Sequence, residues 1–243
     1  MTPPANPAVS APDPVADAAA VRSATDRLLA EIEQLDDATA SKPSLLPGWT
    51  RGHVLAHLAR NADALLNVFA GRPMYASTEA RDGDIERDAH RGAAEHLVDL
   101  RESGARLDGA FAAQRDSDWE RTVELRNGVT DHAYSLPFRR WIEVELHHVD
   151  LGIGYSMDDL PATFIERELA NMARRFSGHP GVPAPIELRT EDGVSWHTGA
   201  PDEGDGKTVV VAGSPTALVA WLTGRSSGAG LSARDPLPDL PAL

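Results

Sequence analysis

From residue 14 to residue 176 the apolar residues of this chain recur near a 3.6-residue period in long stretches, with proline or glycine between them. No other feature limits the fold as much, because each such stretch must bury one face against another element. The first stretch covers about 14–37, with Val15, Ala18, Val21, Leu28, Leu29, Ile32 and Leu35 in step. Pro43, Pro47 and Gly48 mark a turn. Thr50 suits an N-cap and opens a second helix that stops at Gly71 and Pro73. The segment MYASTEARDGD (74–84) reads as a loop. A third helix is expected over about 84–115, marked by Ile85, Leu97, Leu100, Leu107 and Phe111. Residues 121–125 suit a short strand, and Asn127-Gly128 a tight turn. A fourth helix begins near Pro137 and ends at Gly152 or Gly154. Four helices of this length fit an antiparallel bundle. Another helix is expected over about 161–176.

After Ser177 the pattern changes. Gly178, Pro180, Gly181, Pro183 and Pro185 precede three strand candidates, 186–190, 193–198 and 207–213. The acidic loop DEGDG lies between the last two. Ser214 and Pro215 open a short helix over 214–224, and 226–243 is rich in Gly, Ser and Pro. The expected organisation is a disordered Pro/Ala tail (1–13), a helical bundle (14–155) and a small α/β domain (156–243), so the fold class is α+β. No repeat is visible at a period of 20–50 residues.

Charge narrows the partners. The chain carries 23 Lys+Arg against 37 Asp+Glu, a net charge of −14. Phosphate backbones and anionic membranes are held by Lys and Arg, so neither is an expected partner. No apolar run reaches the roughly 18 residues that span a bilayer. No basic segment followed by an apolar stretch opens the chain, so a cytoplasmic location is expected. There is no cysteine, which excludes disulfides, thiolate zinc sites, iron–sulfur clusters and a cysteine nucleophile. Any thiol must come from outside, and any metal must be held by His, Asp or Glu.

Two helices carry chemistry at a useful spacing. His53 and His57 are four apart in the second helix, and Glu143 and His147 are four apart in the fourth, so each pair shares a face. One histidine of the first pair, with Glu143 and His147, would supply two imidazoles and a carboxylate and leave coordination positions open. The bland alternative is an ordinary helical i, i+4 pair on a solvated face. Trp141, Val144, Leu151 and Ile153 spread apolar residues around the fourth helix, which points to burial, and a buried carboxylate needs a partner. Asp150 stands three residues after His147 and can orient it. Spacing alone leaves His53 and His57 as competing third ligands. Other motifs carry less: GxSxG, the P-loop and GxGxxG are absent, Ser77 has no paired base nearby, and Asp202, Glu203 and Asp205 lack the rest of a calcium loop. Arg81 and Arg225 are candidate carboxylate forks.

The segments LLPGWTRGHVLAHLARNADAL, PMYASTEARDGDIE, WIEVELHHVDLG and VVVAGSPTALVAWLTGR, in that order, resemble the mycothiol-dependent maleylpyruvate isomerase family of the DinB-like metalloenzyme superfamily. The resemblance implies a DinB-like four-helix bundle followed by a small C-terminal α/β domain. It implies a divalent metal, zinc above others, on His57, Glu143 and His147, and so favours His57 over His53. It implies Arg225 as the partner of a substrate carboxylate and mycothiol as the external thiol. The implied reaction is the cis–trans isomerisation of maleylpyruvate to fumarylpyruvate, with Arg225 and Arg81 orienting the dicarboxylate. A mycothiol S-transferase acting on another electrophile, or a non-catalytic DinB-like binding module, are the alternatives.

Overall fold

The structure, a computed structural model, describes residues 6–7, 11–201 and 208–241. Most of the 1–13 tail and the acidic loop with Asp202, Glu203 and Asp205 lie outside the described residues. The described chain divides into two compact units. One runs from Pro12 to Ser156, and the other joins the stretch from Met157 onward to the N-terminal residues up to Ala11.

The first unit is helical. It holds α1 (Pro14–Ile32), the one-turn α2 (Asp37–Ala40), α3 (Arg51–Phe69), α4 (Thr78–Asp88), α5 (Ala93–Ala112), the one-turn α6 (Asp116–Trp119), a hairpin of β1 (Thr122–Glu124) and β2 (Thr130–His132), and α7 (Ser135–Asp150). Helix α3 packs against α4, α5 and α7, while α1 packs against α5 and α7. Val54, Leu55, Leu58, Ala59, Ala62 and Leu65 are all buried, so α3 is apolar over most of its circumference and forms the centre of the core. Full burial of each leucine there contributes about 1.5–3 kcal/mol.

Three local features depart from the sequence expectation. The stretch 14–37 ends at Ile32, because Asp36 caps a separate turn by accepting from Thr39 N at 2.7 Å. The 74–84 loop is helical from Thr78, with Ser77 as N-cap accepting from Ala80 N at 3.1 Å. The single helix expected over 84–115 is two. Asp37 Oδ1 accepts from Ala93 N at 2.7 Å and Glu95 Oε2 accepts from Gly92 N at 3.0 Å, so a new N-terminus forms at Gly92. Helix α4 is anchored by polar groups. Its buried Asp88 accepts from Arg60 Nη1 of α3 at 2.7 Å, and Arg87 Nε and Arg91 Nη2 each lie 2.9 Å from it. Gly52 permits the close approach of α4 to α3, since a Cβ there would stand 2.1 Å from Ala89 O.

The second unit holds α8 (Ala162–Phe176), β3 (Pro185–Thr190), β4 (Ser195–Gly199), β5 (Val209–Gly213), α9 (Pro215–Leu222) and β6 (Ser232–Ala233). The strand order is β4-β3-β5-β6; β3 and β5 are parallel and the other pairs antiparallel. Helix α8 packs on α9 and β4. Asn6 Nδ2 donates to His197 O at 3.0 Å, so this part of the tail is held on β4.

Candidate metal centre

Helices α3 and α7 run antiparallel and bring their polar i, i+4 pairs onto each other. His57, Glu143 and His147 each offer one ligand atom, and these atoms lie within 4.8 Å of one another. His57 Nε2 stands 2.9 Å from Glu143 Oε2, and His147 Nε2 stands 3.3 Å from the same oxygen. Metal–ligand bonds of about 2.0–2.2 Å in a tetrahedral arrangement put neighbouring ligand atoms about 3.3–3.5 Å apart, so small shifts suffice to seat an ion. The donor set, two nitrogens and one oxygen without sulfur, suits zinc and several other divalent ions. Asp150 Oδ2 lies 2.8 Å from His147 Nδ1; with the proton on Nδ1, the Nε2 lone pair faces the site.

The capping of α3 separates the two histidines that spacing left in competition. Thr50 Oγ1 accepts from His53 N at 3.3 Å, and His53 Nδ1 accepts from Thr50 N at 3.2 Å. This is a capping box with imidazole where Glu or Gln usually stands. His53 Nε2 then donates to Glu86 Oε2 at 3.1 Å. Both nitrogens of His53 are engaged in holding α3 and α4, and one turn further on His57 faces α7. Trp49 lies against both rings, with centroids 6.1 Å from His53 and 5.6 Å from His57.

The charges of the cluster are tightly linked. Burial pushes the Glu143 carboxyl up, but hydrogen bonds from His147 and His57 outweigh it and hold the group well below the usual carboxylate range. Burial holds His57 below the ordinary imidazole value, against the pull of Glu143. His147 is also penalised by burial, yet its bonds to Asp150 and Glu143 raise it above that value.

Arg81 of α4 reaches this cluster. Its Nη2 lies 3.3 Å from His57 Nδ1, its Nη1 donates to Asp82 Oδ1 at 2.7 Å, and its guanidinium carbon stands 5.8 Å from the Tyr75 ring centroid. In this arrangement His57 keeps its proton on Nε2, toward Glu143. Coordination through Nε2 would need the ring proton on Nδ1 instead, where it opposes the Arg81 Nη2 donor and releases that nitrogen from the ring. Arg225 follows α9 in the second unit, where its Nη1 donates to Thr223 O at 2.7 Å.

Sequence reasoning singled out neither Tyr75 nor Arg140. Burial raises the Tyr75 phenol pKa, against the opposite pull of Arg81. Arg140, one turn before Glu143 on α7, is buried, and that burial lowers its pKa to about 10. Its Nη1 donates to Leu58 O and Asn61 Oδ1, both at 2.8 Å. The spacing of three from Glu143 was the available signal.

Two histidines and a glutamate converging from facing helices are the means by which helical bundles build metal centres. Comparison with known families gives the particular kind. A family model described as the mycothiol maleylpyruvate isomerase N-terminal domain matches residues 21–152, and the C-terminal domain model of that family matches 159–242. The chain belongs to the mycothiol-dependent maleylpyruvate isomerase family. It is similar to two crystal structures, one described as the mycothiol-dependent maleylpyruvate isomerase and one as a histidine-to-alanine mutant of it. Their TM-scores are 0.86 and 0.85 at 28% identity, covering 95% of this chain and 97% of each of theirs. No curated protein sequence matches the chain.

Proposed function

We propose that this chain isomerises maleylpyruvate to fumarylpyruvate with mycothiol as the thiol, at a divalent metal, zinc, held by His57, Glu143 and His147. The observation that carries the reading is the convergence of those three ligand atoms beside Arg81 in a chain of this family that owns no thiol. A bound divalent metal lowers the pKa of a coordinated thiol and polarises a carbonyl. Addition of the mycothiol thiolate to the conjugated C=C bond of maleylpyruvate forms a C–S bond and passes the π pair to the conjugated carbonyl oxygen, leaving the C–C bond single. After rotation the enolate pair returns, the C–S bond breaks, and the double bond is restored in the trans form. The protein's own part is positional. Asp150 fixes the His147 ring, Glu143 places its carboxylate between the two imidazoles, and Arg81 and Arg225 orient the substrate carboxylates. Among the described residues no helix is long and apolar enough to cross a membrane.

The test follows the ultraviolet absorbance of maleylpyruvate with zinc-loaded protein, with and without mycothiol. Loss of absorbance only when mycothiol is present is the expected result. A mycothiol adduct of a test electrophile without turnover of maleylpyruvate would replace the isomerase with an S-transferase.

A further inference from the structure

Arg140 is among the largest side chains in the core of the first unit and is 2% exposed. Both of its hydrogen-bond partners, Leu58 O and Asn61 Oδ1, are neutral, and both are reached through Nη1. Glu143 lies on the same face of α7 and attracts Arg140, but its carboxylate is committed to His57 and His147. The Nε and Nη2 groups donate to none of the described residues. This fold does seal a few polar atoms away without partners: Arg60 Nε, His96 Nε2 and both ring nitrogens of His148. Neither free nitrogen of Arg140 is among them, so each keeps a trace of accessible surface although the side chain as a whole is buried.

A buried cation with only neutral partners is costly, and buried charges are ordinarily paired. The other buried ion pairs here obey that rule: Asp88 is met by Arg60, Arg87 and Arg91, and Glu145 by Arg27. Arg140 stands apart, and its place explains the exception. Leu58 and Asn61 are one and four residues after His57, and Glu143 is three residues after Arg140, so the guanidinium lies one turn along from the ligand cluster. The Nε and Nη2 donors form the side of the guanidinium that matches the two oxygens of a carboxylate.

We propose that Arg140 is the buried anion subsite of this centre and binds one carboxylate of a small organic acid through Nε and Nη2. That the acid is the isomerase's dicarboxylate substrate rests on the reading given above. A divalent metal on the three ligands would add two positive charges to those of Arg140 and Arg81, against the carboxylates of Glu143, Asp150 and Asp82, so the site keeps a net positive charge although the chain as a whole is strongly acidic.

The probe is maleate, a stable cis-dicarboxylate, titrated calorimetrically into metal-loaded protein. Two variants separate binding from scaffolding. Arg140→Lys keeps the charge and loses the fork. Asn61→Asp places a carboxylate against Nη1, which strengthens the tie between α3 and α7 while neutralising the anion site. Both are expected to weaken maleate by about 10–100-fold, the range for a lost charge-assisted hydrogen bond. Metal content stays unchanged, the thermal midpoint of maleate-free Asn61→Asp is equal or higher, and for an active enzyme KM rises more than kcat falls. Unchanged maleate affinity in either variant, or no saturable binding to the wild type, overturns the proposal. A wild type that binds maleate through Arg140 but leaves maleylpyruvate untouched upholds the subsite and removes only the isomerase reading.

Discussion

Replacing Asp150 with asparagine removes one charge and almost no volume. Asp150 is 1% exposed, and its Oδ2 lies 2.8 Å from His147 Nδ1. Groups that orient a metal-bound imidazole in this way are worth about 10–100-fold in metal affinity, or about 1.4–2.7 kcal/mol. The size of the loss depends on pH, because Asp150 favours two competitors for His147. It raises the basicity of the ligand toward a metal and also toward a proton, and His147 sits above its ordinary value of 6.5. Well above the His147 pKa the proton is absent, and the full deficit of Asp150→Asn is expressed. As pH falls, the wild type loses affinity to protonation sooner than the variant does, so the deficit narrows. In the metal-free fold the raised pKa contributes stability that is full below 6.5 and disappears as pH rises through the folded value, and the variant flattens that slope. Competition of zinc against a chromophoric chelator at about pH 8 and about pH 6, with thermal unfolding of the metal-free proteins as control, measures both effects. Equal affinity near pH 8, or a deficit that widens toward pH 6, would refute the reasoning.

The two histidines of α3 separate by substitution. His57→Ala abolishes stoichiometric zinc in elemental analysis, whereas His53→Ala keeps the metal and loses about 1 kcal/mol of stability with the cap of α3. Gly52→Ala drives a methyl group into Ala89 O, costs about 1–3 kcal/mol in denaturant unfolding, and displaces α4 enough to lower turnover through Arg81. In the second unit, burial raises the Glu168 pKa from 4.5 to about 7, against Asn171 and the nearby Arg175, Arg225 and Arg174. A raised carboxyl pKa gives stability that is full below 4.5 and is lost as pH passes 7. Wild-type unfolding free energy therefore falls by roughly 3 kcal/mol across that window, and Glu168→Gln removes the slope.

What the sequence made legible follows from where the stabilising groups come from. Helices α3 and α7 carry their own signal, because apolar residues surround them and Thr50 and Pro137 mark their first turns. Helix α4 does not: among Thr78–Asp88 the sole large apolar residue is Ile85, and the helix is held by Ser77 and by Arg60 reaching across from α3. The break before α5 depends on Asp37, 56 residues away, and no local pattern announces a cap of that kind. Strand β6, two residues long, exists through its pairing with Val211 and Ala212 of β5. At the site, i, i+4 spacing put Glu143 and His147 on one face but left the third ligand open. Only family resemblance pointed to His57, and the capping role of His53 supplies the physical reason it stands aside. Arg140 escaped notice because a helical arginine ordinarily turns its charge to water.

The excess of acid and the absence of cysteine belong to the same account of the site. Most arginines of the first unit are met by carboxylates: Arg22 by Asp108, Arg60 by Asp63, Asp88 and Asp99, Arg91 by Asp88 and Asp99, Arg106 by Asp63, and Arg139 by Asp131. Some of those pairs tie helix to helix, as Arg22–Asp108 joins α1 to α5 and Arg60–Asp99 joins α3 to α5. Arg140 keeps neutral partners, and Arg81 divides itself between Asp82 and the ring of His57. Two guanidinium groups, Arg81 and Arg140, thus stand beside one cluster of metal-ligating atoms. At physiological ionic strength the surface acids act over about 8 Å, so buried charges govern what binds there. A centre with donor nitrogens, one carboxylate and arginine forks can hold an anionic substrate and an ion that activates a thiol. Because the chain has no cysteine, that thiol must enter as a separate molecule.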